Sequence, residues 1–141
     1  MSNADNRREL IEKVWAAAWG QGDVEALDKL LSPAYLRHGG DPHPQGLSTF
    51  KASIISTRSA FPDLVTTIDD IVIDDDRAAI RWHSSGTHEN SFLGVPATKR
   101  RVDVSGATFA RFEGDRTVEE FVTWDPRALL SALGIIQVGQ G

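Results

Sequence analysis

The hydrophobic period of this chain changes once, at Asp63, and that change constrains the fold more than any other feature. Before it, Leu10, Ile11, Val14, Trp15, Ala18 and Trp19 recur at helical spacing between Asn6 and Trp19, with charges opposite. That is the stripe of an amphipathic helix seated on a core. Gly20-Gln21-Gly22 ends it, and Asp23 predicts the N-cap of a second short helix carrying Leu27, Leu30 and Leu31 and stopping at Ser32-Pro33. Ala34 to His38 reads as a short extended piece and Gly39 to Gly46 as a turn-rich loop. A third helix follows with Phe50, Ile54, Ile55 and Phe61, closed by Pro62. From Asp63 onward the period is two. Leu64 to Ile73, Arg77 to Thr87, Arg100 to Phe112 and Thr117 to Trp124 read as strands, with turns at Asp74-Asp75-Asp76 and Glu113-Gly114-Asp115-Arg116. Asp125-Pro126 then opens a short helix with Leu129, Leu130 and Leu133, ended by Gly134; an Asp cap before a first-turn Pro is strong punctuation. Helices first and an antiparallel meander afterwards predict an α+β fold.

Length and composition bound the function. The 141 residues suffice for one domain with a real core, so residues 1–141 are read as a single domain. The net charge is −5 and the sequence pI about 5.3. That balance disfavours nucleic acid, whose binding is dominated by phosphate neutralisation. No cysteine is present, which excludes disulfides, thiolate metal sites and cysteine nucleophiles. No apolar run approaches the roughly 18–20 residues that span a bilayer, and Met1 to Glu9 is unlike a signal peptide. The expectation is a cytoplasmic protein with a small-molecule ligand and neither nucleic-acid nor membrane partner. No Gly-rich phosphate loop and no nucleophile elbow occurs. His38, His43, His83 and His88 show no helical i,i+4 spacing, so no metal and no other cofactor is expected.

Several segments, in order, resemble the SnoaL-like polyketide cyclase branch of the NTF2-like superfamily. They are Trp19-Gly20-Gln21-Gly22-Asp23 through Leu30-Leu31 with Tyr35 and His38; Ala60-Phe61-Pro62-Asp63; and Arg81-Trp82 with Gly86-Thr87-His88 and Phe92-Leu93-Gly94-Val95-Pro96. The last is Arg111-Phe112-Glu113-Gly114, then Glu119-x-Phe121-x-x-x-Asp125 and Leu129-Leu130-x-x-Leu133-Gly134. The resemblance implies a cone: N-terminal helices packed in a curved, mostly antiparallel sheet of four to six strands, enclosing a pocket open at one end. It implies a cofactor-independent enzyme acting on a small apolar or polycyclic carbonyl substrate. Asp125 would be the acid/base that removes a proton next to a carbonyl, and His38 or His83 would polarise the enolate oxygen. Phe121 stands where the family often has Trp, and Lys99-Arg100 follows Thr98 without the usual Gly.

The residues by themselves leave alternatives open. With the last turn centred near Asp115, Arg111 faces Glu119, Phe109 faces Phe121, Ala107 faces Thr123 and Ser105 faces Asp125, all on one sheet face. That face reads as a pocket wall, although Arg111 and Glu119 also suit a plain cross-strand ion pair. Asp125 sits where a helix cap belongs, and a capping carboxylate is a poorer base. His83 lies on the outer face if the apolar set of its strand lines the core, and in the pocket if the polar set does. Trp15, Trp19, Phe50, Phe61, Phe109 and Phe121, with Trp82 and Phe92 from the resembling segments, are the candidate substrate contacts; Trp15 and Trp19 also suit a plain core. The opposite face, with Val104, Thr108, Val122 and Trp124, is expected to cover itself with a second copy, giving a homodimer through the sheet. Two other functions remain: an epoxide hydrolase or hydratase, which needs an Asp-Arg-Asp set, and a non-catalytic binding or dimerisation module in which Asp125 is only a cap.

Overall fold

The computed structural model describes residues 2–135 as an α+β fold. Helix α1 (Asn3–Gln21) is followed by a 3-10 segment (Val24–Lys29), β1 (Leu31–His38), β2 (Gln45–Gly46) and α2 (Leu47–Ala60). Then come β3 (Val65–Asp74), β4 (Arg77–Thr87), β5 (Arg101–Glu113), β6 (Arg116–Trp124) and α3 (Pro126–Ala132). The six strands form one curved, unclosed sheet in the order β2-β1-β6-β5-β4-β3, antiparallel except where β1 runs parallel to β6. This is the NTF2-like arrangement expected from the sequence, and the strand number is the upper end of the expectation.

Helix α1 runs through Gly20 and ends at Gly22, which takes φ 77° in the left-handed region open to glycine. There the Gly22 and Asp23 amides return to the carbonyls of Ala18 and Ala17 at 3.1 and 3.0 Å. The second helix differs from expectation: Val24–Lys29 is a 3-10 segment, Asp23 makes no side-chain cap bond, and Leu31 already belongs to β1. Pro33 is tolerated inside β1 because the β1–β6 ladder is irregular between Leu31 and Leu36, where no amide is needed.

Ile11, Val14 and Ala18 of α1 and Phe50 and Ile54 of α2 pack on Ile71, Ile80, Ala110 and Phe112 of the sheet. Each fully buried aliphatic or aromatic side chain is worth about 1.5–3 kcal/mol, so this contact decides which sheet face turns inward. A second cluster joins Ala60, Phe61, Val102, Leu129 and Leu133, and ties α3 to the end of α2. Between the two clusters the concave side stays partly unfilled. No described helix is long and apolar enough to cross a membrane.

Candidate active site

The unfilled space is a cavity of about 350 Å³, within the range of small-molecule sites. Trp15 and Trp19 of α1 reach it, as do Phe50, Ser53, Ser56 and Thr57 of α2. The sheet contributes Arg37, Trp82, Ser84, Val104, Thr108, Val122 and Trp124, while Phe61, Phe92, Leu93 and Leu129 close one end. Four indoles therefore share one cavity. Trp19 meets Phe50 edge-on at 6.1 Å and Phe61 meets Phe92 at 5.3 Å, both T-shaped packings that hold flat walls in fixed orientation. The Trp82 indole donates to Thr108 Oγ1 at 3.1 Å and lies over Gly106, where any side chain would collide with it.

Six of the eight expected contacts are thus assembled: Trp15, Trp19, Phe50, Phe61, Trp82 and Phe92. The other two are not. The β5–β6 register is as expected, with Arg111 opposite Glu119, Phe109 opposite Phe121 and Ala107 opposite Thr123. Its inward face is the reverse. Phe109 and Phe121 remain 51% and 49% exposed on the outer side, whereas Val104, Thr108, Val122 and Trp124, expected at a dimer interface, line the cavity. The physical reason is that both faces of this hairpin are apolar, so alternation alone does not choose between them. The helices choose, by seating on the face that holds Ile80 and Phe112.

His38 follows the outer face. Its ring stacks on Phe121 at 4.5 Å, and Nε2 lies 2.8 Å from Glu119 Oε2. His38 and Arg111 hold the Glu119 carboxyl below the usual carboxylate range, with His38 the larger cause. His83 is also outside the cavity lining: its Nδ1 lies 2.9 Å from Asp69 Oδ1, a residue displaced by the irregularity in the β3–β4 ladder between Ile68 and Asp70. Asp125 leaves the β5–β6 ladder, which ends at the Gly106–Trp124 pair, and does not face Ser105 across it. Its Oδ1 accepts the Arg127 amide at 2.9 Å as the α3 cap. Neither Asp125 nor the two histidines borders the cavity.

What borders it instead is one cation and one carboxylate. Arg37 projects from β1, and Asp41 comes from the loop after it. Behind Arg37, Glu120 is 3% exposed and accepts the Tyr35 hydroxyl, with Arg37 Nη1 at 3.5 Å. Burial raises the Glu120 carboxyl above the usual range, against the opposing pull of Arg37 and Tyr35, and it raises the Tyr35 hydroxyl as well. Alternation on β6 assigns Glu120 to the face opposite Phe121, which the sequence predicts to be outward, so spacing alone does not single it out.

His88 is a further unassigned residue, fully buried and stacked on Phe61 at 5.4 Å. Its Nδ1 accepts the Thr98 amide at 3.2 Å, and its backbone bonds Arg100 and Lys99. It thereby anchors both ends of the loop that carries Phe92 and Leu93 to the cavity.

The family model for SnoaL-like polyketide cyclases matches residues 9–133. The chain belongs to that family. Three solved structures share the architecture. TsrD from Streptomyces laurentii is 29% identical with a TM-score of 0.84, covering 96% of this chain and 99% of its own. AclR, a candidate hydroxylase from Streptomyces galilaeus, is 28% identical with a TM-score of 0.82, covering 94% and 98%. IdmH, a candidate polyketide cyclase from Streptomyces antibioticus, is 30% identical with a TM-score of 0.78, covering 91% and 98%. Among curated proteins none matches. Membership in the SnoaL-like family supports a cyclase-type role for this chain.

Proposed function

We propose that the chain is a cofactor-independent enzyme that takes a flat, largely apolar carbonyl compound into the cavity and rearranges it by proton transfer. The observation that carries this reading is the convergence of Trp15, Trp19, Trp82 and Trp124 with Phe50 and Phe61 on one 350 Å³ space edged by hydroxyls. Rigid indole walls suit a planar ring system, and Ser53, Ser84 and Thr108 supply hydrogen bonds to its oxygens. Asp41 is the carboxylate on the cavity lining. We assign to it the removal of a proton from the carbon next to the carbonyl, in place of Asp125, which is engaged as a cap. Hydratase chemistry is less well supported, because among the described residues Arg37 pairs with Glu120 and with no aspartate. The outer face, with Phe109, Phe121 and Val72 exposed around a concavity of about 440 Å³, is the surface through which two copies would pair.

A panel of polycyclic aromatic ketones and β-keto esters, followed by absorbance and mass spectrometry, tests the activity. Once a substrate is found, Asp41→Asn is expected to lower turnover about 10²–10⁴-fold, and Asp125→Asn to leave it within about threefold, because Asn caps nearly as well as Asp. The reverse pattern would return the acid/base role to Asp125. A chain that binds none of these planar compounds would not be an enzyme of this kind.

A further inference from the structure

Arg37 is out of place in a plain hydrophobic cavity. It stands on β1 opposite Glu120 of β6, is 19% exposed at its side chain, and lies on the cavity lining among the indoles. Its guanidinium carbon sits over the Phe50 ring, 4.3 Å from the ring centre, so a cation–π contact holds the charged group against an aromatic wall. A guanidinium has five N–H donors. Among the described residues Arg37 spends one of them, on Glu120 Oε1 at 3.5 Å, and that oxygen already accepts the Tyr35 hydroxyl. The pair is long and shared, so Glu120 engages only part of the donor fork. Burial favours the neutral form of Glu120, so the carboxyl cancels less of the guanidinium charge. The other charged group on the lining, Asp41, forms no ion pair with Arg37.

A guanidinium stacked in place on the wall of a largely apolar cavity, with most of its donors uncommitted to other described residues, is suited to binding an anionic oxygen. We infer that Arg37 recognises an anionic oxygen on the ligand, so that the cavity selects planar ring compounds bearing a carboxylate or an ionised phenol over their neutral counterparts. Phe50 and Glu120 act as positioning groups, one stacking the guanidinium and the other steadying its far edge. This rests on the cavity reading given above and narrows its substrate class. Two features argue for recognition by charge and not by shape alone: apart from Asp41 and the indoles, the other polar side chains on the lining are hydroxyls and the Gln45 amide, and no second cation competes for the anion on the described lining.

The test uses 2-naphthoate and 2-naphthamide, which share ring and shape and differ in charge. Quenching of the intrinsic tryptophan fluorescence reads binding, since all four indoles border the cavity. The wild-type protein is expected to bind 2-naphthoate at least tenfold more tightly, the usual range for a charge-assisted hydrogen bond. Arg37→Gln is expected to bring 2-naphthoate to the affinity of 2-naphthamide, and to change 2-naphthamide by less than about threefold. Equal affinities in the wild type would overturn the anion assignment while leaving the cavity as a planar-ligand site. Failure of both compounds to bind would overturn the cavity reading and this inference together. If Arg37→Gln loses its fold by circular dichroism, the wild-type comparison of the two compounds decides alone.

Discussion

Adding one methyl group at Gly106 should unsettle both the core and the cavity. A Cβ built there lies within contact-violating range of the Trp82 indole and 2.7 Å from the Thr123 carbonyl oxygen. The carbonyl cannot retreat, because Gly106 is paired with Trp124 and its neighbour Ala107 with Thr123 in the β5–β6 ladder. The indole must therefore swing away, and in doing so it gives up the 3.1 Å bond from Nε1 to Thr108. Overpacking of this kind costs about 1–3 kcal/mol, and the lost hydrogen bond adds about 0.5–1.5 kcal/mol. Gly106→Ala should lower stability by about 2–4 kcal/mol together. With a urea slope near 2 kcal/mol/M, the midpoint should fall by about 1–2 M. The same displacement pushes the indole into the cavity, so the emission maximum should shift and planar ligands should bind more weakly. Gly20→Ala is the internal control. Gly20 lies inside α1 with open space where its Cβ would go, so the substitution should stabilise by about 0.5–1 kcal/mol. A Gly106→Ala protein within 0.5 kcal/mol of wild type would refute the close approach of Trp82 to the β5 backbone.

Three further outcomes are expected. Lys99 holds φ 61°, in the left-handed region, at the position where the resemblance expects Gly; Lys99→Gly should raise the urea-derived stability by up to about 1 kcal/mol, and a clear loss would show that the Lys99–Glu89 contact outweighs the strain. The folded Glu120 carboxyl titrates above its unfolded value. Its contribution is therefore fully present below the unfolded pKa and declines as pH rises through the folded one. Glu120→Gln removes that dependence, so its stability relative to wild type should improve between pH 4.5 and pH 7.5; a constant difference across that range would count against a buried, proton-holding carboxyl. Light scattering should give twice 15.4 kDa for the wild type, and Phe109→Glu should return the chain to monomer; a dimer that survives this change uses another surface.

Much of this protein was legible in the residues themselves, because local physics writes directly into spacing. The change of period at Asp63 gave the helix-then-meander order, and the turn near Asp115 gave the pairing of Arg111 with Glu119 and Phe109 with Phe121. Asp125-Pro126 marked the last helix, since a cap and a fixed φ are properties of two adjacent residues. The aromatic set on the helices was also readable, because Trp15, Trp19 and Phe50 share faces with core residues one turn away. Tertiary structure alone decided which face of β5 and β6 turned inward. Phe109 and Phe121 compete there with Val104, Val122 and Trp124, and alternation treats the two sets alike. The choice was made by α1 and α2, which are distant in sequence and bury Ile80 and Phe112 from the concave side. That single decision moved His38 and His83 off the cavity and brought Glu120 behind Arg37. A charged centre made from β1 and β6 is a long-range contact, and no spacing along either strand could announce it.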